Sequence, residues 1–140
     1  MRDWPVSAEL RRGSMAFGVD PGGWKGLLDQ ADAGRLLLDP EIGAGLDKVC
    51  DRHIDRLGDV LSEVRNISHI TGFGAFESGR VLERKFSLTA SGSDRALDAV
   101  VRRHIEVVVA VKEIVARAIS NFVAQEQAAV ARISASERAR

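Results

Sequence analysis

From Ser93 to about Ile133 the chain runs without a single glycine or proline, and this stretch dictates the rest. Leu97, Val101, Val108, Val111, Val115, Ala118, Phe122, Ala129 and Ile133 recur at spacings of three and four with two gaps, the mark of one apolar helix face. Ser93, or Ser91 with Asp94 three residues on, is placed to cap it. Asp98 with Arg102, and Glu113 with Arg117, stand four apart as intrahelical ion pairs. A helix of roughly 40 residues spans about 60 Å, more than the core of one 140-residue domain would cover. An elongated helical packing follows. Ile105, Val109, Ile114 and Ile119 lie beside the main stripe and widen it beyond what one neighbouring helix covers, which predicts a dimer or hetero-oligomer.

The partner helix within the chain is announced by Asp39-Pro40, with Asp as cap and Pro in the first helical position. From there to about Ile70 the residues Ile42, Leu46, Val49, His53, Leu57, Val60, Val64 and Ile67 step by four and three, predicting the face that meets the last helix. Gly58 falls inside this helix at a cost of about 1 kcal/mol relative to Ala, as expected where a neighbouring helix comes close. Thr71-Gly72-Phe73-Gly74 ends it. Ser78 then caps a short helix to Ala90 in which Val81, Leu82 and Phe86 share a face. Asp20-Pro21-Gly22-Gly23 is a turn signal, after which Trp24, Leu27, Leu28 and Ala31 suit a short helix closed by Gly34. The expected fold is all-α: an antiparallel helical hairpin of two long helices with a short connecting helix, plus a short N-terminal helix. Residues 1–38 form an extension, 39–133 the hairpin domain and 134–140 a polar tail. Residues 1–19 carry no periodicity and are expected to be poorly ordered.

Composition removes several function classes. Twenty basic residues balance twenty acidic ones, so no electrostatic footprint for nucleic acid exists. Cys50 is the only cysteine, which excludes an internal disulfide framework. No apolar run approaches a membrane span. Arg11-Arg12 is not followed by the apolar core of a signal peptide, so any export is expected to proceed without a cleaved N-terminal signal. Cys50 and His53 lie three apart on one helix, but no carboxylate spacing completes a metal site. The same pair lacks an orienting third residue for nucleophilic catalysis, and Gly72-Phe73-Gly74 lacks the Lys and the strand of a phosphate loop. His53 and His104 are expected at the seam edges. The reading is a protein that is not an enzyme and takes no cofactor.

Trp24-Lys25-Gly26 is a W-x-G triplet placed before the first long helix, not between the two. The connector Gly72-Phe73-Gly74-Ala75-Phe76 is followed by Ser78-Gly79, Leu82, Lys85, Phe86, Ala90 and Gly92, and the last helix carries Ala118-x-x-x-Phe122-x-x-x-Glu126. On these residues the chain from about Gly34 to Ile133 resembles the small helical-hairpin proteins of the actinobacterial type VII secretion system, the WXG superfamily and its relatives. Phe122 and Glu126 look like that family's secretion motif, an aromatic followed four residues on by an acid. The family normally has Tyr there, and its eponymous Trp is missing from this connector. The resemblance implies a secretion substrate or co-secreted partner, cytoplasmic before export. Its partners would be itself or another small hairpin, with a secretion ATPase as a further candidate; no nucleic acid and no membrane span are expected. The alternative is a cytoplasmic adaptor or secretion chaperone of the same architecture that is never exported.

Overall fold

The computed structural model describes residues 21–139; the expectations for residues 1–19, including Arg11-Arg12, lie outside them. The described residues form four helices and no strand: α1 Pro21–Asp32, α2 Pro40–Ile67, α3 Glu77–Ala90 and α4 Leu97–Arg138. The described residues are all-helical apart from turns and connections, and their helices pack as in a helical bundle.

Local chemistry sets most of the boundaries. Helix α1 stops at Gly34, whose φ of 71° only glycine adopts readily, and Arg35 N–H donates back to Gln30 O at 3.0 Å. Asp39 caps α2 through Oδ1, accepting from the N–H groups of Glu41 at 2.9 Å and Ile42 at 3.3 Å, with Pro40 in the first turn. Two expected caps are corrected. Ala96, not Ser91 or Ser93, occupies the cap position of α4 and makes no side-chain bond. Gly92 at φ 104° and a turn bond from Ala96 N–H to Ser93 O delay the helix to Leu97. Phe76, not Ser78, stands at the cap of α3. At its far end α4 continues past Ile133 to Arg138, because nothing in that sequence breaks a helix.

The long helix is the common floor. It holds α2 along one side and α1 along another, while α3 touches the rest only lightly. Gly43 of α2 meets Ile119, Asp47 and Asp51 meet Lys112, and His53 meets His104. Residue numbers rise on α2 as they fall on α4, so these two helices run in opposite directions. Asn121 ties the α1 end down, donating to Ala31 O at 2.7 Å and Leu36 O at 3.0 Å. Arg117 bridges Glu113 of its own helix and Asp32 of α1. The expected Asp98–Arg102 pair does not form; Asp98 accepts from Ser91 Oγ at 2.8 Å instead.

The core consists of Val101, Val107, Val108, Ile114, Val115 and Ala118 of α4 with Cys50 and Val64 of α2, joined by Ala31, Ala90 and Ala96. It is shallow. No large side chain among the described residues is fully buried. Of the expected contact face of α2, Leu57 and Val64 are covered, while the rest is corrected: Ile42, Leu46, Val49, His53, Val60 and Ile67 are exposed. The covered face is Gly43, Asp47, Cys50, Ile54, Leu57, Leu61 and Val64, which has the same four-three spacing and is turned by roughly one residue's rotation about the axis. Gly43 lies on it where a side chain would overlap Ile119. Gly58 does not make the close approach expected of it, since nothing stands within 4 Å of the space its Cβ would fill.

Candidate interaction surfaces

Helix α2 carries two apolar stripes and α4 covers one. The outer stripe follows an unbroken heptad over positions 42, 46, 49, 53, 56, 60, 63 and 67, with Ile42, Leu46, Val49, Val60 and Ile67 exposed to between 41% and 65%. His53, Arg56 and Glu63 fill the remaining places. A surface helix of a free-standing globule would normally keep such residues inward, and exposed apolar residues recurring along one face, here in two groups parted by His53 and Arg56, mark a contact surface. At its N-terminal end Leu46 joins Trp24, Leu36, Leu37, Leu38, and the Val111 to Ala118 turns of α4 in an almost wholly apolar groove.

The last turns of α4 form the second surface. Leu38 N–H donates to Ala118 O at 3.1 Å, so α2 begins opposite Ala118 and the end of α4 runs on past it. From residue 123 onward every described residue except Ala129 and Ser134 is exposed. Phe122 is half-buried where this projection starts, and Glu126, one turn further on the same face, is exposed. Val130 and Ile133 continue the exposed strip.

The connector makes a third surface at the opposite end. Gly72 and Gly74 adopt φ values of 106° and 91°, and Glu83 Oε1 accepts from Gly72 N–H at 3.0 Å and Phe73 N–H at 3.3 Å. Phe73 stacks on Phe86 with ring centroids 5.6 Å apart. Gly79 sits directly beneath, where a Cβ would come within 2.5 Å of Phe73 O. Phe76 is left 81% exposed. The structure thus gathers Gly72, Phe73, Gly74 and Phe76 over α3, and does not bring them to Phe122 and Glu126, which lie about 38 Å further along α4.

The polar residues between α2 and α4 have a positioning role. Lys112 reaches both Asp51 and Asp47, and its pKa is raised chiefly by the hydrogen bond with Asp51. Burial pushes the Cys50 thiol up, with Asp47 adding to the effect and Lys112 opposing it. Cys50 is covered by α4 whereas His53 points out and meets His104 edge-on at 6.2 Å. Among the described residues no three His, Cys, Asp or Glu side chains are grouped as a metal ion would need, and no helix is long and apolar enough to cross a membrane. No known protein family, curated protein or solved structure matches the chain. The surfaces must be read on their own chemistry. The four-three spacing on α2 is legible in the sequence, but of the residues expected to meet α4 only Leu57 and Val64 are covered. Asn121, which carries no distinguishing signal in the sequence, emerges only from its bonds.

Proposed function

We propose that the chain is a protein–protein interaction module built on a helical hairpin, acting as a type VII secretion substrate or co-secreted partner. The observation that carries the interaction reading is the outer stripe of α2, a row of exposed apolar residues at heptad spacing that no described helix covers. A second hairpin, a copy of this chain or a similar small protein, would lay its own stripe there and complete a four-helix assembly. The export reading rests on the resemblance at Phe122 and Glu126, supported by their place at the start of the projecting end of α4.

Sedimentation velocity at tens of micromolar tests the pairing. The intact chain is expected as a dimer, and Val49→Asp or Val60→Asp is expected to give a monomer of unchanged helicity, because both side chains point away from α4. A monodisperse wild-type monomer refutes self-pairing. Dissociation accompanied by loss of helicity in both variants would mean that the stripe is part of the fold. Retention of tagged protein wholly in the cytosol of a type VII-competent host would leave the module a cytoplasmic adaptor.

A further inference from the structure

The formal charge of the whole chain is zero, but its charges are segregated. Residues 39–66 carry seven acids against four bases, and residues 67–103 carry six bases against four acids. Arg80, Arg84 and Lys85 of this basic stretch belong to α3, Arg95 to the turn that follows, and Arg102 and Arg103 to the first turns of α4. Four residues of α3 turn inward: Gly79 and Ala90 are buried, and Glu83 and Ser87 are half-buried. Glu83 is occupied by the connector N–H groups, and Ser87 Oγ accepts from Ile70 N–H at 3.5 Å.

The opposite face of α3 is different in kind. Glu77, Arg80, Val81, Arg84, Lys85 and Leu88 share one open surface with Ala75, and their spacing keeps them on one side of the helix. Val81 and Leu88, each about half exposed, form an apolar line with Arg80, Arg84 and Lys85 close by and Glu77 as the only acid. Phe76 stands at the N-terminal cap of α3, outside the residues lining this surface, and is the most exposed of the large apolar side chains described. Leu82 and the Phe73–Phe86 stack lie on the flank.

We propose that this end of the molecule docks on an anionic lipid bilayer surface, with α3 lying in the interface and Phe76 entering the acyl boundary. The charge pattern favours a bilayer. Apolar side chains at the centre of a face with Arg and Lys around them match a layer whose phosphates lie just above its hydrocarbon. The long basic stems extend along the apolar surface while their heads reach the phosphates. The acidic stretch of α2 lies on the other side of the connector, where repulsion from the same membrane would keep the rod end-on instead of flat.

Co-sedimentation of the full chain with vesicles tests this. Binding is expected to vesicles of phosphatidylcholine mixed with phosphatidylglycerol, to be absent from phosphatidylcholine alone, and to weaken with added salt. Replacing both Arg84→Gln and Lys85→Gln should weaken binding on the order of thirtyfold, and Phe76→Ser should weaken it without altering its salt dependence. Circular dichroism of each variant should match the parent, since all three side chains are exposed. No binding to the mixed vesicles at low salt overturns the proposal. Equal binding to both vesicle types, or binding untouched by these substitutions, overturns it as well. So does capture of an acidic polypeptide such as polyglutamate in place of the vesicles, which would make the surface a protein-docking site.

Discussion

Phe122 and Glu126 pose the sharpest question at the level of single residues. Phe122 is half-buried and Glu126 exposed, an arrangement in which an aromatic and an acid one turn apart can be read from outside. If they form an export signal, Phe122→Ala should abolish export in a type VII-competent host and lower the Tm little. A fully buried Phe would instead cost about 3 to 5 kcal/mol on truncation. Glu126→Gln should reduce export with no change in Tm. A sharp fall in Tm for the first variant, with export untouched in the second, would make Phe122 an ordinary packing residue. Glycines make a parallel contrast. Gly58 has open space where its Cβ would lie, so Gly58→Ala should gain about 1 kcal/mol of helix propensity and raise the Tm by a few degrees. Gly79→Ala should lower it, because the obstructing atoms are backbone oxygens of Phe73 and Gly74, which cannot swing aside as a side chain can. Thermal melts of the two variants moving in the same direction would contradict this. Sequence alone could locate Gly34 and Asp39-Pro40, whose roles are settled by neighbours one to five residues away. It could not tell Gly43 from Gly58, because that difference lies in what stands opposite.

The same limit explains the elements. All four helices were legible, since periodicity and the Gly-rich breaks mark them, and their ends were misplaced by a few residues where turns intervene. On α2 two stripes share the four-three spacing. Periodicity says that a face is apolar but not which helix covers it: Ile42, Leu46, Val49, Val60 and Ile67 line the exposed stripe, and Cys50, Ile54, Leu57, Leu61 and Val64 the covered one. On the covered side Gly43, Cys50 and Asp47 are small or polar, which lets the backbones approach and lets Asp47 and Asp51 reach Lys112. This interface should be sensitive to alkali. The folded pKa of Cys50 lies above its ordinary 9.0, so the unfolded chain ionises first and folding weakens as pH rises past that value. Lys112 is raised above 10.5, so its contribution is complete below that pH and is lost as pH climbs through the folded value. Both effects have the same sign. The Tm is expected to fall from about pH 9 upward by these terms, less steeply in Cys50→Ala and in Lys112→Met. An equal alkaline slope in both variants would remove the two groups from the account. Cys50 should also react slowly with a thiol reagent in the folded protein and quickly in urea.

For the molecule as a whole, the helical class and the presence of two long helices were legible in the sequence. Neither α1 lodged against α4 nor the tie through Asn121 was legible there, because contacts 85 and 90 residues apart leave no local trace. The shallow core bears on more than architecture. No large side chain is fully buried among the described residues, and a partner covering the outer α2 stripe would add to the stability of the chain's own packing through mass action. Stability then becomes a matter of dosage. If such a partner pairs with it, the opened fraction available to proteases would shrink as paired chains accumulate and grow as they become scarce, so a cell that stopped making the partner would clear this chain by routine turnover.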